Sequence, residues 1–374
     1  MKTAQLKWEN DEWKPISDLN LKPQLCLLFG SRLVVEKYPE NYSKLRSLFP
    51  NSDIVTVTSA GNILDEYLLD ETIIATAIEF EKTKIKTHAF ELGKLDDEEI
   101  GKQVAKHFQS EDLSNILIFS CSGINAGNIL NGLNDVLKGS VPVSGGVAGD
   151  HMRFEKTLVG LNGQISDKQL LSIGMYGKDL KVAHGSKGGW DTFGPRRKVT
   201  KSIANVLYEI DNKPALNLYK EYLGEKAKDL PGSALLFPFA LIDPETKEQI
   251  VRGVQNVDEE KNALILYGDI HEGDMVQLMR CDFERLIDGA GDSAKETFLK
   301  SSKPPELAIL ISCVARRLVL GQLTEDELTE TKRVLGYHTT ICGFYSYSEL
   351  SPVVGDNACH LHNQTMTITT LSEK

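Results

Sequence analysis

Three stretches of the chain share one hydrophobic design. "PQLCLLFGSRL" (Pro23 to Leu33), "SNILIFSCSGI" (Ser114 to Ile124) and "ELAILISCVAR" (Glu306 to Arg316) are short continuous apolar runs that end in small polar residues. Such runs predict strands buried on both faces. Each is followed by a segment with helical patterning: "PENYSKLRSLF", "NAGNILNGLNDVL" and "TEDELTETKRVL". In the third, Thr324 predicts an N-cap, with Glu327 three residues on completing a capping box. A second strand follows each helix: "DIVTVTSAG" (Asp53 to Gly61), "VPVSGGVAG" (Val141 to Gly149) and "TTICGFYSYSEL" (Thr339 to Leu350). "ETIIATAIEF", "QLLSIGMYG" and "NQTMTITTL" close the three units. The repeated strand–helix–strand–strand unit predicts mixed sheets with helices covering a face, an α/β or mixed α+β class.

The segment between the second and third units breaks the repeat. Ile203, Val206, Leu207 and Ile210 have helical spacing, and Asp211-Asn212-Lys213-Pro214 ends that run. "PALNLYKEYLG" predicts a second helix closed by Gly224. From Ser233 to Arg280, short apolar runs alternate with Asp-Pro, Asp-Glu-Glu and Glu-Gly-Asp turns, the pattern of a β-meander. A boundary between Glu221 and Pro231 then divides the chain into an N-terminal extension (1–22), an N-terminal domain (23–220) and a C-terminal domain (221–374).

Length and charge narrow the function. A chain of 374 residues exceeds what one core usually serves. A net charge of −11 argues against nucleic acid, which selects a basic face. The one compact basic run, "GPRRKVTK" (Gly194 to Lys201), reads as a solvated turn ahead of a helix. No apolar stretch reaches the ~18 residues of a membrane span, and the N-terminus has no apolar h-region. Six cysteines (Cys26, Cys121, Cys281, Cys313, Cys342, Cys359) are scattered without CxxC spacing. They are expected to be reduced, and the protein to be cytoplasmic.

Candidate chemistry gathers at the small-residue strand ends. "VPVSGGVAGD" is neither G-x-G-x-x-G nor a Walker A loop, and the Asn162-Gly163 turn after it predicts hairpins in place of a helix. A phosphate cradle is therefore not expected. Strand ends rich in small residues instead let backbone N–H groups approach a ligand. Ser120, Cys121, Ser122 and Gly123 form one such end, and Gly145, Gly146, Gly149 and Asp150 another. With their C-terminal counterparts, Ser312, Cys313 and Tyr345 to Glu349, they are expected to line one pocket beyond the sheet ends. Asp150 could bind an ammonium group, and Arg252 or Arg316 a carboxylate.

Cys121 and Cys313 each follow a serine. They are either buried small hydrophobes or, with a thiol acidified by a helix start, nucleophiles. In "CHLHNQT", alternation places His360 and His362 on one face, a pattern that suits a metal or haem as well as ordinary hydrogen bonding. In "FYSYSEL", Tyr345, Tyr347 and Glu349 share a face that suits a pocket wall or a packed hairpin.

Many short segments, in order, resemble the FIST family, a sensory domain found alone, in bacterial signalling proteins and joined to F-box proteins. They are "SAGNI", "FSCSG", "GGVAGD" and the run Val199 to Gly224, then "VRGV", "GDIHEGDMVQLM", "SCVARRLVLG", "GFYSYSEL" and "LHNQTMT". Two positions depart: Ser348-Glu349 stands for the family's Gly-Glu pair, and Asn62 for the glutamate after "SAG". The last segment brings in His362, Asn363 and Thr365. The resemblance implies small-molecule binding and signalling, with amino acids or their derivatives as ligands and no enzymatic reaction. Haem-containing nitric-oxide sensors occur among bacterial members. The expected protein is a ligand-binding sensor that signals to a separate partner such as a histidine kinase or cyclase, without nucleic acid, membrane or an obligatory cofactor. The alternatives are a haem-based gas sensor, an enzyme acting through Cys121 or Cys313, or an interaction scaffold.

Overall fold

The three apolar runs become the central strands of three sheets. A computed structural model describes residues 1–242, 249–280, 282–300 and 303–373. Cys281 and the Asp243-Pro244 turn lie outside the described residues. Leu25–Gly30, Leu113–Ser120 and Leu307–Cys313 are buried along nearly their whole length. Each pairs in parallel with the strand expected after its helix: Asp53–Thr58, Val143–Val147 and Thr340–Ser346. A parallel pair needs a long crossover, and the helices Glu40–Leu48, Ala126–Leu137 and Thr324–Leu335 supply it. On the other side of each central strand runs the antiparallel closing strand: Ile73–Glu79, Gln169–Tyr176 and Met366–Glu373. Beyond it lies the strand that opens the unit: Lys2–Glu9, Lys84–Glu91 and Leu180–Lys187. The N-terminal extension is thus partly a sheet strand.

The units are tied together by exchanged hairpins. The first unit's hairpin, Asn62–Leu64 with Tyr67–Leu69, pairs with Thr340–Ser346 of the third. The second unit's hairpin, Val159–Leu161 with Gln164–Ser166, pairs with Asp53–Thr58 of the first. The third unit's hairpin, Ser348–Pro352 with Cys359–His362, pairs with Val143–Val147 of the second. Each exchange covers a strand edge that would otherwise stay unpaired. Where the three sheets meet, one phenylalanine from each unit closes the centre. Phe29 lies 5.0 Å from Phe344 and 6.2 Å from Phe119, and Phe119 lies 6.1 Å from Phe344, between ring centroids.

The segment between units two and three builds a fourth, eight-stranded antiparallel sheet, with the helix Ala215–Leu223 packed on it. The helix expected over Ile203 to Ile210 is instead a pair of strands, Asp191–Ile203 and Val206–Ile210. The cause is a β-bulge. Lys201 pairs with Glu209 and Ser202 with Leu207, leaving Tyr208 extra. One extra residue shifts the alternation, so the buried Leu207 and Ile210 fall three apart, as on a helix. Ile203, at the other end of the supposed stripe, is exposed. "GPRRKVTK" is therefore strand, not a turn before a helix.

Two further readings change. Thr324 is not a cap. The 3-10 turn Gly321–Leu323 runs straight into the helix, and the Thr324 hydroxyl donates back to the Gly321 carbonyl at 2.6 Å. Its backbone is already helical, which leaves Glu327 free to face the core. The stretch Thr339 to Leu350 is two strands, because the chain leaves one sheet for another at Tyr347. The glycines of "VPVSGGVAGD" lie in and just beyond a strand. A Cβ on Gly145 would collide with the Ile118 carbonyl of the parallel neighbour. The expected boundary region, Glu221 to Pro231, takes in the end of the helix Ala215–Leu223 and the 3-10 turn Gly224–Asp229.

Candidate functional site

A cleft of about 490 Å³ opens where the end of the second central strand faces the end of the third. Its volume lies within the roughly 300–1,000 Å³ common for small-ligand sites. On one side are Ser122, Gly123 and Asn125, which lead into the helix Ala126–Leu137. Asn125 caps that helix, its Oδ1 accepting from the Asn128 N–H at 3.2 Å. Its amide nitrogen lies 3.3 Å from the carboxylate of Asp269, which comes from the fourth sheet's loop. The third unit supplies Cys313, Tyr347 and Ser348 on the facing side, and its last hairpin supplies Leu361, Asn363 and Gln364.

Aromatic rings shape the mouth. Tyr347 sits where the chain switches sheets, and its ring stacks on Phe154 at 4.7 Å with the planes 16° apart. The Tyr347 hydroxyl accepts from the Phe154 N–H at 3.1 Å and donates to the His151 carbonyl at 3.3 Å. Tyr267 lines the opposite wall. Burial pushes both phenols up to about 12, so each remains a neutral hydroxyl.

The floor is polar and holds a buried thiol beside a buried carboxyl. Burial, then the neighbouring Glu349 carboxyl, pushes the Cys313 thiol well above its ordinary value. Glu349 lies fully buried behind it, and burial raises its carboxyl to about 8. Ser346 Oγ lies 2.7 Å from one carboxyl oxygen, and Thr365 Oγ1 lies 3.1 Å from the other. Of the two readings open for this cysteine, the buried small hydrophobe is the one its surroundings favour, because desolvation outweighs the backbone N–H groups of Ala315 and Gln364 that face the sulfur. Cys121 is likewise buried, with its thiol raised mainly by desolvation and donating to the Gln169 carbonyl.

Gln364 differs from every other lining residue. Only 1% of it is exposed, yet neither Oε1 nor Nε2 has a hydrogen-bond partner among the described residues. Its backbone takes a left-handed φ of 56°. The carbonyl is held by Trp190 Nε1 at 2.9 Å and by Arg316 Nη1 at 3.5 Å. Behind the cleft lies the buried Arg252, whose Nη1 donates to Asn363 Oδ1 at 3.2 Å. Burial lowers the guanidinium to about 10, with Asp269 and Asp274 acting to raise it. It remains charged at neutral pH.

The cleft thus brings together Ser122, Gly123, Cys313, Tyr347 and Asn363, with Arg252 and Glu349 immediately behind. The other residues read from the sequence lie elsewhere. Asp150 is fully buried between Arg32 and Arg153, each with Nε 3.0 Å from a carboxylate oxygen. Arg316 is fully buried and committed to Glu327 (2.7 Å) and to the carbonyls of Gly188 and Leu286. Tyr345 and Ser312 donate to the same Glu327 at 2.7 and 3.1 Å. Ser120 donates to the Cys121 carbonyl. Gly145, Gly146 and Gly149 are closed off by Ile118, Ile311 and Ala60.

His362 faces a second cavity of about 390 Å³. Its Nε2 lies 3.0 Å from the Ser351 carbonyl, and burial pushes the ring down to about 3, so it is neutral. His360 pairs with Asp356 at 3.1 Å. Among the described residues, no group of three or more His, Cys, Asp or Glu side chains could hold a metal. None of the described helices is long and apolar enough to cross a membrane.

Sequence reading missed Gln364, Asp269, Tyr267, Asn125 and Phe154. Gln364 and Asp269 lie inside two of the segments already singled out, "LHNQTMT" and "GDIHEGDMVQLM". Only the fold shows which of those positions reach the cleft.

An uncharacterized protein of Methanocaldococcus jannaschii is 23% identical over 304 residues, which cover 74% of this chain and 57% of that protein. An uncharacterized protein of Mycobacterium tuberculosis, present in two strains, is 23% identical over 250 residues, 64% of this chain and 63% of its own. The chain therefore spans 57–63% of the length of these curated relatives. A solved structure of a cyanuric acid hydrolase aligns over 94% of this chain and 91% of its own, with 10% identity and a TM-score of 0.29. That likeness is too low to carry an argument. Residues 24–213 match the FIST N domain and residues 215–352 the FIST C domain. FIST domains are associated with signal transduction and small-ligand binding. The two matches take in the central strands of all three sheets and both facing strand ends of the cleft, and the chain belongs to the FIST family.

Proposed function

We propose that this protein is a cytoplasmic sensor that binds a small molecule, an amino acid or a derivative of one, and signals to a separate partner such as a histidine kinase or cyclase. The observation that carries this reading is the cleft between the two FIST parts, where the buried amide of Gln364 has no partner among the described residues. A molecule bound there touches strand ends of two units and the loop of the fourth sheet. Its occupancy can then bias how those parts sit, which is what a sensor requires. Binding without turnover is the proposed mode, because the two candidate thiols are neutral and buried.

A thermal-shift screen of amino acids, nucleotides and haem against the whole chain tests this. A ligand at about 100 times its Kd adds about 2.7 kcal/mol of apparent stability. Leu318, on the cleft rim, offers the control: Leu318→Trp should abolish the shift while leaving the unliganded melt near its wild-type position. Product formation from the bound compound, or a shift that survives the Trp, would overturn the reading.

A further inference from the structure

We infer that the cleft selects a ligand carrying an amide edge, an N–H beside a C=O as in a lactam, a cyclic imide or a primary carboxamide, through two-point pairing with Gln364. The inference builds on the small-ligand reading and narrows its chemistry.

Gln364 presents one donor group and one acceptor, both buried and both unpaired among the described residues. Buried polar groups are almost always hydrogen-bonded, and an orphaned pair on one side chain is costly. The side chain leaves a backbone fixed on every side. Its carbonyl is engaged by Trp190 and Arg316, and its N–H faces the Cys313 sulfur. The left-handed φ adds strain of the kind that persists where surroundings over-determine a residue, commonly at ligand sites.

The chemistry of the partner follows from the two atoms. A carboxylate would satisfy Nε2 but set an oxygen against Oε1. An ammonium would satisfy Oε1 but set its hydrogens against Nε2. Only an edge carrying both a donor and an acceptor satisfies the two together, as glutamine does when it reads adenine. Rotating the amide by 180° simply reverses the edge it complements.

An aromatic ring packs beside Gln364. Tyr267 Cδ2 and Gln364 Nε2 approach to 3.1 and 3.2 Å of the point where Gly253 lacks a Cβ. Gly253 thereby lets the ring edge and the amide sit side by side. The Phe154–Tyr347 stack adds a further aromatic surface at the mouth. The charged Arg252 behind Asn363 disfavours a cationic end at this part of the floor.

Calorimetric titration of the whole chain with uracil, hypoxanthine and glutamine, each beside the form in which every amide or lactam N–H is replaced by N-methyl, tests the assignment. Glutamate and γ-aminobutyrate serve as charged comparisons. The expected result is binding of at least one unmethylated probe, weakened tenfold or more by methylation at the amide nitrogen and by Gln364→Met or Gln364→Glu. Gln364→Met should melt at or above the wild-type temperature, because it removes two orphaned groups at similar volume. A merely structural glutamine would instead lower it. Equal binding of methylated and unmethylated probes, or undiminished binding by the Met variant, overturns the inference. Binding confined to the charged compounds overturns the amide edge and leaves a small-ligand cleft standing. If neither these probes nor the amino acids, nucleotides and haem of the screen bind, both readings fall.

Discussion

At the residue scale, burial sets the pH behaviour of Glu349, behind the cleft, and of His362, at the second cavity. Glu349 has a folded-state carboxyl raised to about 8, with desolvation the leading cause. The folded protein therefore keeps a proton that the unfolded chain releases near pH 4.5. Its contribution is complete below that value and is lost as pH rises through about 8. Denaturant midpoints should accordingly fall between pH 5 and pH 8.5 more steeply for wild type than for Glu349→Gln. Parallel curves for the two proteins would refute this. His362 works in the opposite sense, since its buried neutral ring stabilises above about 6.5 and loses that as pH falls toward about 3.

Arg316 and Glu327 raise a separate question, because both are fully buried and several neighbours are organised around them. Removing one partner leaves an uncompensated charge, so Arg316→Met should cost about 3–5 kcal/mol in guanidinium unfolding. Arg316→Met with Glu327→Leu should recover part of that loss. A double variant no better than the single would show that the pair is not the source.

At the scale of elements, a glycine decides whether a parallel pair can form. The Ile118 carbonyl occupies the space a Cβ on Gly145 would need, and that carbonyl is part of the central strand. Gly145→Ala should leave little soluble folded protein, a loss beyond about 4 kcal/mol. Gly232, with nothing within 4 Å of its Cβ position, should accept Ala with the melt unchanged within about 0.5 kcal/mol. Equal solubility of the two variants would remove the argument.

Such strands were the most legible part of the sequence, because a run like "LAILIS" is apolar on both faces and has few other folds open to it. The run ending at Ile210 misled because a bulge at Tyr208 gives a strand the spacing of a helix. The break at Tyr347 was hidden for a related reason. Alternation continues through it while the hydrogen-bonding partner changes from one sheet to another. Side-chain type alone could not separate Arg252, beside the cleft, from Arg316, committed to Glu327. Nor could it show Gln364 as unpaired, since that depends on the fourth sheet and the last hairpin arriving at the same place.

At the scale of the molecule, the exchanged hairpins mean that the two family matches are not two folding units. A fragment of residues 1–213 would leave Val143–Val147 without Ser348–Pro352, and Leu180–Lys187 without Met366–Glu373. A fragment of residues 215–374 would leave Thr340–Ser346 without Asn62–Leu64, and Phe344 without Phe29 and Phe119. Each would expose apolar core and open strand edges, the conditions for aggregation. Neither fragment alone should give a cooperative melt, whereas the two co-expressed should assemble and regain one transition. The reconstituted pair should also recover ligand binding, because Ser122 to Asn125 come from one fragment and Tyr347, Asn363 and Gln364 from the other. A cooperative melt from either fragment would show that the exchanged strands are dispensable. Binding of the same ligand by one fragment would place its site outside the shared cleft.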